Sequence, residues 1–140
     1  MSEWDDFSRS PREIFRESLE RCAEAEDFLP SFYRRFLSSS EEVRWKFRHT
    51  DFTVQNDMLL RSLRMAAGAA EGDREALQEM RERAESHNRH HLDIQPDLYK
   101  LWLYSVIITA RRFDPKWDPE IEMAWYSVLG HIIDHMIRHY

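Results

Sequence analysis

Three histidines, His87, His90 and His91, lie close together at the end of a predicted helix. A neutral imidazole can ligate a metal ion or the iron of a prosthetic group. A histidine at a solvated helix end also stabilises the negative end of the helix dipole, which explains the same residues without a ligand. The cluster is therefore a candidate metal centre, and its residue types do not choose among the three histidines.

Two polar side chains interrupt apolar helix faces elsewhere in the chain. Tyr33 follows Phe32, and Gln55 shares a helical row with Met58 and Leu59. A phenol or an amide in such a place needs a hydrogen-bond partner if it is buried. Tyr33 could be half of a core aromatic pair and Gln55 a boundary residue, or both could donate hydrogen bonds to a small polar ligand.

Other arrangements with chemical potential are weaker. His131, His135 and His139 follow one another at four-residue spacing, which can bind a divalent metal, but they alternate with an apolar row and so are expected on a solvated face. The lone cysteine, Cys22, is predicted to be a small core residue. The sequence has no glycine-rich phosphate loop and no HExxH or GxSxG motif.

Composition narrows the class of protein. The 140 residues suit one domain, and a net charge of −6 argues against nucleic-acid binding. A single cysteine excludes an internal disulfide framework, and no apolar stretch is long enough to span a membrane. Residues 1–9 are expected to form a flexible acidic arm without the features of a secretory signal, which predicts a cytoplasmic location.

Helix-start signals divide the chain into six to eight helices, and no segment has the pattern of a strand. The architecture is therefore predicted to be all-α. The segment from Pro96 to Arg112 is apolar nearly all round and is expected in the middle of the fold. The predicted starts are the Ser10/Glu13 capping box, Pro30, the Ser39/Glu42 capping box, Asp51, Asp73 and Pro96. Asp114–Pro115 and Asp118–Pro119 mark the last turn, and the last helix is predicted from Ile121 to Tyr140.

Taken in order, these motifs resemble the globin family, and above all bacterial single-domain globins and the globin part of flavohaemoglobins. The resemblance covers residues 28–137. Residues 32–47, FYRRFLSSSEEVRWKF, are similar to the bacterial pattern FYxxLF…PEVRPLF. The other matching blocks are His87 followed by Ile94-x-Pro96-x-x-Tyr99-x-x-Trp102, and Ala124–Trp125 with Gly130.

The resemblance implies a single globin-like domain with haem b as cofactor. His87 matches the family's iron-binding histidine, with His90 and His91 as rivals. Tyr33 and Gln55 match the distal residues that donate hydrogen bonds to bound ligand. Tyr140 stands where bacterial relatives place an acidic residue near the proximal histidine, so the partner of the second imidazole nitrogen is left open between Tyr99 and a carbonyl near Ala84. The expected haem-contacting residues are Phe47, Leu59, Leu63, Leu77, Ile94, Tyr99 and Leu103, with His49 or His91 at the haem carboxylates.

The function that follows from the resemblance is reversible binding of O₂, and also of NO and CO, in oxygen transport, storage, scavenging or sensing. NO dioxygenation with a separate reductase is an alternative, so enzymatic activity and a homodimeric state are both left open. A haem-free globin-like interaction protein is another alternative. The last is a non-globin bundle that binds a metal through His131, His135 and His139.

Overall fold

The computed structural model describes residues 9–88, 90 and 92–140. Most of the predicted acidic arm, together with His91, therefore lies outside the described residues. The described part of the chain is built from helices without a strand, which confirms the all-α prediction and the expected six to eight helices. The helices are α1 Pro11–Ala23, α2 Phe28–Ser38, α3 Glu41–Lys46, α4 Phe52–Glu71, α5 Arg74–His87, α6 Pro96–Phe113 and α7 Pro119–Arg138.

Side-chain caps set most helix starts. The Ser10 hydroxyl accepts from the Glu13 amide, and Asp51, Asp73 and Asp118 cap α4, α5 and α7 in the same way. Each cap satisfies a backbone N–H that the first helical turn leaves without a partner. The predicted starts of three of these helices, at Pro11, Asp51 and Asp73, therefore follow from local chemistry.

Three helices have boundaries that differ from the prediction. Ser40 rather than Ser39 caps α3, because the Ser39 hydroxyl instead donates to the Phe36 carbonyl at 2.6 Å. Helix α2 begins at Phe28, two residues before Pro30, since a proline fits within the first helical turn as well as at its start. The last helix begins at Pro119 rather than at Ile121, because the Asp118 cap places its first turn two residues earlier, and it ends at Arg138 before Tyr140.

The core lies between α1, α4 and α7 on one side and α2 and α6 on the other. Phe15 of α1 and Trp125 of α7 are fully buried, and their rings meet edge to face with centroids 4.8 Å apart. Val106 and Ile107 in the second half of α6 are buried, but Tyr104 on the same helix is exposed. Helix α6 is thus central without being enclosed on every side.

A buried polar network joins α1 and α7 to the end of α6. Trp125 Nε1 donates to Ser18 Oγ at 2.9 Å, and Ser18 Oγ donates to Asp114 Oδ2 at 2.5 Å. Arg21 donates to both oxygens of the same carboxylate, at 2.6 and 2.9 Å. Burial by itself would raise the pKa of Asp114, but the hydrogen bonds from Arg21 and Ser18 outweigh it and hold that pKa below its usual value.

Among the described residues, no helix combines the length and the apolar character needed to cross a bilayer.

Candidate functional site

Helices α2 to α7 surround an apolar cavity of about 1030 Å³, a volume that includes its open mouth. Its size and its mostly apolar walls are those of a small-molecule or cofactor site. The few polar groups in it, chiefly Tyr33, Gln55 and His87, are therefore the ones that can orient a ligand. The lining residues are Tyr33, Phe36, Val43, Lys46, Phe47, Gln55, Leu59, Ser62, Leu63, Ala66, Arg83, His87, Ile94, Leu98, Tyr99, Trp102, Leu129, Ile132, Ile133 and Met136.

His87, the last residue of α5, presents its imidazole to this cavity. Its Nδ1 lies 2.8 Å from the Arg83 carbonyl oxygen and 3.0 Å from Ser86 Oγ. Because a carbonyl oxygen can only accept, the contact favours the tautomer with the proton on Nδ1. The Nε2 lone pair is then free to ligate a metal.

Burial keeps that imidazole neutral. Desolvation lowers the pKa of His87 and outweighs the hydrogen bond to the Arg83 carbonyl, which acts in the opposite direction. The Arg83 charge adds to the lowering. A neutral imidazole with its second nitrogen already bonded meets the requirements for an axial ligand.

Tyr33 and Gln55 form one hydrogen-bonded unit in the same cavity. Gln55 Nε2 donates to Tyr33 Oη at 3.0 Å. The Tyr33 ring is buried and lies 5.2 Å from the ring of Phe52 and 5.9 Å from that of Phe47, centroid to centroid. The phenol therefore has a fixed position, and its oxygen is already an acceptor for Gln55.

The hydroxyl proton of Tyr33 is left available to a ligand. No other described residue accepts a hydrogen bond from this hydroxyl, so its proton can point into the cavity. Burial raises the pKa of Tyr33 to about 12, against a smaller lowering by the Gln55 hydrogen bond. The phenol stays protonated at neutral pH and acts as a donor rather than as an anion.

Two cationic side chains, Lys46 and Arg83, also line the cavity. Lys46 Nζ donates to the Leu92 carbonyl at 3.3 Å, which ties α3 to the loop after α5. Arg83 Nη2 lies 3.1 Å from a Glu79 carboxylate oxygen. These cations could pair with acidic groups of a bound ligand, a role that the sequence had suggested for His49 or His91.

Most of the predicted pocket residues line this cavity, but three of them lie elsewhere. Leu77 packs against a separate cluster of Ala69, Ala76 and Met80, and Leu103 against the core. His49 is exposed and His91 lies outside the described residues. The rotation of α5 and α6 about their axes, which the spacing of apolar residues does not fix, accounts for Leu77 and Leu103. The predicted residues that do line the cavity are Tyr33, Phe47, Gln55, Leu59, Leu63, His87, Ile94 and Tyr99.

Sequence reasoning missed the wall that α7 contributes. Ile132, Ile133 and Met136 line the cavity, and they belong to the apolar face of the last helix. A helical apolar row is a signal for burial, but it does not tell a core contact from a cavity wall. Phe36, Val43 and Trp102 were missed for the same reason.

The other histidines that the structure describes do not line this cavity. His90 is exposed, and its backbone amide donates to Asn88 Oδ1. On α7, the rings of His135 and His139 have centroids 4.2 Å apart. Within residues 9–88, 90 and 92–140, however, no group of three or more His, Cys, Asp or Glu side chains could hold a metal ion. Tyr140 donates to the Asp93 carboxylate.

Comparison with known proteins shows a similarity to a solved structure. No protein-family profile and no curated protein matches the chain. A protein from Pseudomonas aeruginosa PAO1, whose crystal structure is described as structurally highly homologous to a human haemoglobin, matches with a TM-score of 0.89 and 33% sequence identity. The match covers 94% of this chain and 98% of that one.

The fold is therefore globin-like, and the alternative of a non-globin metal-binding bundle is wrong. With this identity over nearly the full length of both chains, the protein belongs to the same family as the Pseudomonas protein.

Proposed function

We propose that this protein is a haem-binding globin that reversibly binds O₂ and also binds NO and CO. The observation that carries the proposal is the content of one apolar cavity: a neutral His87 with its Nδ1 already bonded, and a buried Tyr33 that is bonded to the half-buried Gln55 and has a free hydroxyl proton. Haem, when bound, supplies an iron centre at which diatomic gases bind.

The residues present fit such a group. The cavity walls are apolar over most of their area, as a porphyrin disc requires, and Lys46 and Arg83 are suited to its two carboxylates. The only cysteine of the sequence, Cys22, is buried and outside the cavity lining, so covalent attachment through thioethers has no support. Non-covalently bound haem b is the cofactor that these features favour.

In this proposal His87 would hold the iron through Nε2, and the Arg83 carbonyl would fix the plane of the imidazole ring. Tyr33 would donate its hydroxyl proton to the ligand. Gln55 would act mainly through Tyr33, because its amide already donates to the phenol oxygen. Tyr33 is therefore expected to stabilise the bound ligand more than Gln55 does.

NO dioxygenation with a separate reductase would use the same cavity and is a second use of the proposed site. It requires an electron supply from outside the described residues. Steady-state NO consumption by the haem-loaded protein, with and without an added ferredoxin or flavodoxin reductase, tests this use. Repeated turnover only with the reductase supports it, and consumption that stops at one NO per haem even with the reductase present argues against catalytic use.

The axial ligand is tested by histidine replacement. Hemin is titrated into the unaltered protein, His87→Ala and His90→Ala, and the intense absorption band near the violet edge of the visible range is recorded. Loss of the band in His87→Ala with retention in His90→Ala supports the proposal, and His91→Ala should also retain it. Added imidazole should restore the band in His87→Ala, which separates loss of a ligand from loss of the fold. The reverse pattern would transfer the axial role to His90 or His91.

A further inference from the structure

A second concave site lies between α2 and α6, and it shares no lining residue with the His87 cavity. The groove has a volume of about 960 Å³ that includes its opening. Its floor is formed by Ser105 and Thr109 of α6, which are only 1% and 2% exposed. Three arginines line it: Arg34 and Arg35 from α2, and Arg112 from the end of α6.

The charge of the groove is only partly neutralised. Arg34 Nη2 lies 2.9 Å from Asp27 Oδ2, and the charge of Arg112 also lowers the pKa of Asp27. Arg35, which is half-buried, has no hydrogen bond or ion pair with any other described side chain. One carboxylate against three guanidinium groups leaves an excess of positive charge, in a protein whose net charge is −6. Such a local excess attracts an anion.

The floor of the groove adds an unused polar group. The Thr109 hydroxyl donates to the Ser105 carbonyl at 2.7 Å, and the Ser38 hydroxyl donates to the Arg34 carbonyl. The Ser105 hydroxyl, in contrast, makes no hydrogen bond with another described residue, although Ser105 is almost fully buried. The Ser105 oxygen is not among the fully enclosed polar atoms of the described residues, so it is still accessible and its hydroxyl is available to a ligand on the groove floor.

We infer that this groove binds a small molecule carrying a phosphate or diphosphate group. Guanidinium forks match phosphate oxygens bidentately, and Arg35 and Arg112 approach the groove from two different helices. The Ser105 hydroxyl supplies a donor beneath them. The exposed ring of Tyr104, 59% accessible, lines the same groove and offers a surface for an aromatic part of the ligand. The inference does not depend on the function proposed for the His87 cavity.

Calorimetric titration with inorganic pyrophosphate tests the groove directly. The full chain is titrated at low ionic strength, alongside Arg35→Ala, Arg112→Ala and Ser105→Ala. Arg111→Ala is the matched control, because it removes the same charge one residue away, from an exposed ion pair with Glu122 outside the groove. Lys46→Ala reports any binding in the other cavity.

Saturable binding of one pyrophosphate is expected, weakened about tenfold by Arg35→Ala or Arg112→Ala, since each removes a charge-assisted contact. Ser105→Ala should weaken it by less, and Arg111→Ala and Lys46→Ala by less than about twofold. A titration with ADP separates two sources of the phosphate: tighter binding than pyrophosphate that Tyr104→Ala removes indicates a nucleotide, and equal affinity indicates phosphate recognition alone. Absence of saturable binding, or an equal loss in Arg111→Ala or Lys46→Ala, would overturn the inference.

Discussion

Replacement of Tyr33 by phenylalanine tests the distal half of the proposed site. The substitution removes one oxygen and keeps the ring that packs against Phe47 and Phe52, so the cavity wall is preserved. It removes the hydroxyl proton that is free to reach a ligand, and it leaves the Gln55 amide without its acceptor. The change therefore removes the phenol donor with the cavity wall intact, and the Gln55→Leu and double variants report what the released Gln55 amide contributes.

The size of the effect follows from the kind of hydrogen bond that is lost. A hydrogen bond to a ligand that carries partial charge contributes about 1.5–3 kcal/mol, which corresponds to a rise in the O₂ dissociation rate of about 10- to 150-fold. Gln55→Leu removes a neutral hydrogen bond to Tyr33 and should raise the rate only about fivefold. Because Gln55 acts through Tyr33, the double variant should resemble Tyr33→Phe alone instead of the product of the two effects.

Stopped-flow displacement of O₂ by excess CO from the haem-loaded protein measures these rates. Tyr126→Phe is a suitable control, because this tyrosine is exposed on α7 and outside the cavity. An effect of Gln55→Leu equal to or larger than that of Tyr33→Phe would refute the ranking of the two donors. Multiplicative effects in the double variant would show that Gln55 contacts the ligand independently.

Two further predictions concern stability and thiol chemistry. Asp114→Asn should lower the free energy of unfolding in urea by about 3 kcal/mol, because it leaves the partly buried Arg21 without its carboxylate, whereas Glu122→Gln in the surface pair with Arg111 should cost less than about 1 kcal/mol. The pKa of Asp114 is lowered in the folded state, so its contribution to the free energy of unfolding is present above the unfolded value near 3.8 and is lost as the pH falls below it. The stabilities of the unaltered protein and Asp114→Asn should therefore converge in acid. Stability curves that stay parallel as the pH falls would contradict the role of this carboxylate. Cys22 is fully buried, and burial raises the pKa of its thiol to about 12. An aromatic disulfide reagent at pH 8 should therefore titrate no thiol in the native protein and one thiol per chain in guanidinium chloride. Rapid reaction of the native protein would contradict this burial.

Helix starts were predictable where the signal is local. Asp51 and Asp73 cap α4 and α5 through hydrogen bonds to amides two and three residues ahead, so the sequence carries the whole interaction. The start of α3 could not be predicted, because Ser39 and Ser40 are both suitable caps. The choice depends on the end of α2, where the Ser39 hydroxyl is used by the Phe36 carbonyl.

The cavity was predictable only in part. Tyr33, Gln55 and His87 stood out as polar groups in particular positions of a family pattern, and the structure brings all three to one cavity. Their roles toward a ligand stay predictions. Leu77 and Leu103 do not line the cavity, because the rotation of α5 and α6 about their axes is set by tertiary packing.

The charged groups of the cavity were not predictable from the sequence. Lys46 and Arg83 look like ordinary surface cations in a chain in which a third of the residues are charged. Lys46 and Arg83 line the cavity only because the folded chain places α3 and α5 at the same cavity. The groove between α2 and α6 was missed for the same reason, since its arginines come from residues 34, 35 and 112.

The most direct test of the account is the absorption spectrum of the purified, unaltered protein after titration with hemin. The account predicts saturation at one hemin per chain, with an intense violet-edge band that shifts when the reduced protein is exposed to CO. A protein that is isolated colourless, and that leaves added hemin with the spectrum of free hemin, would contradict the central claim.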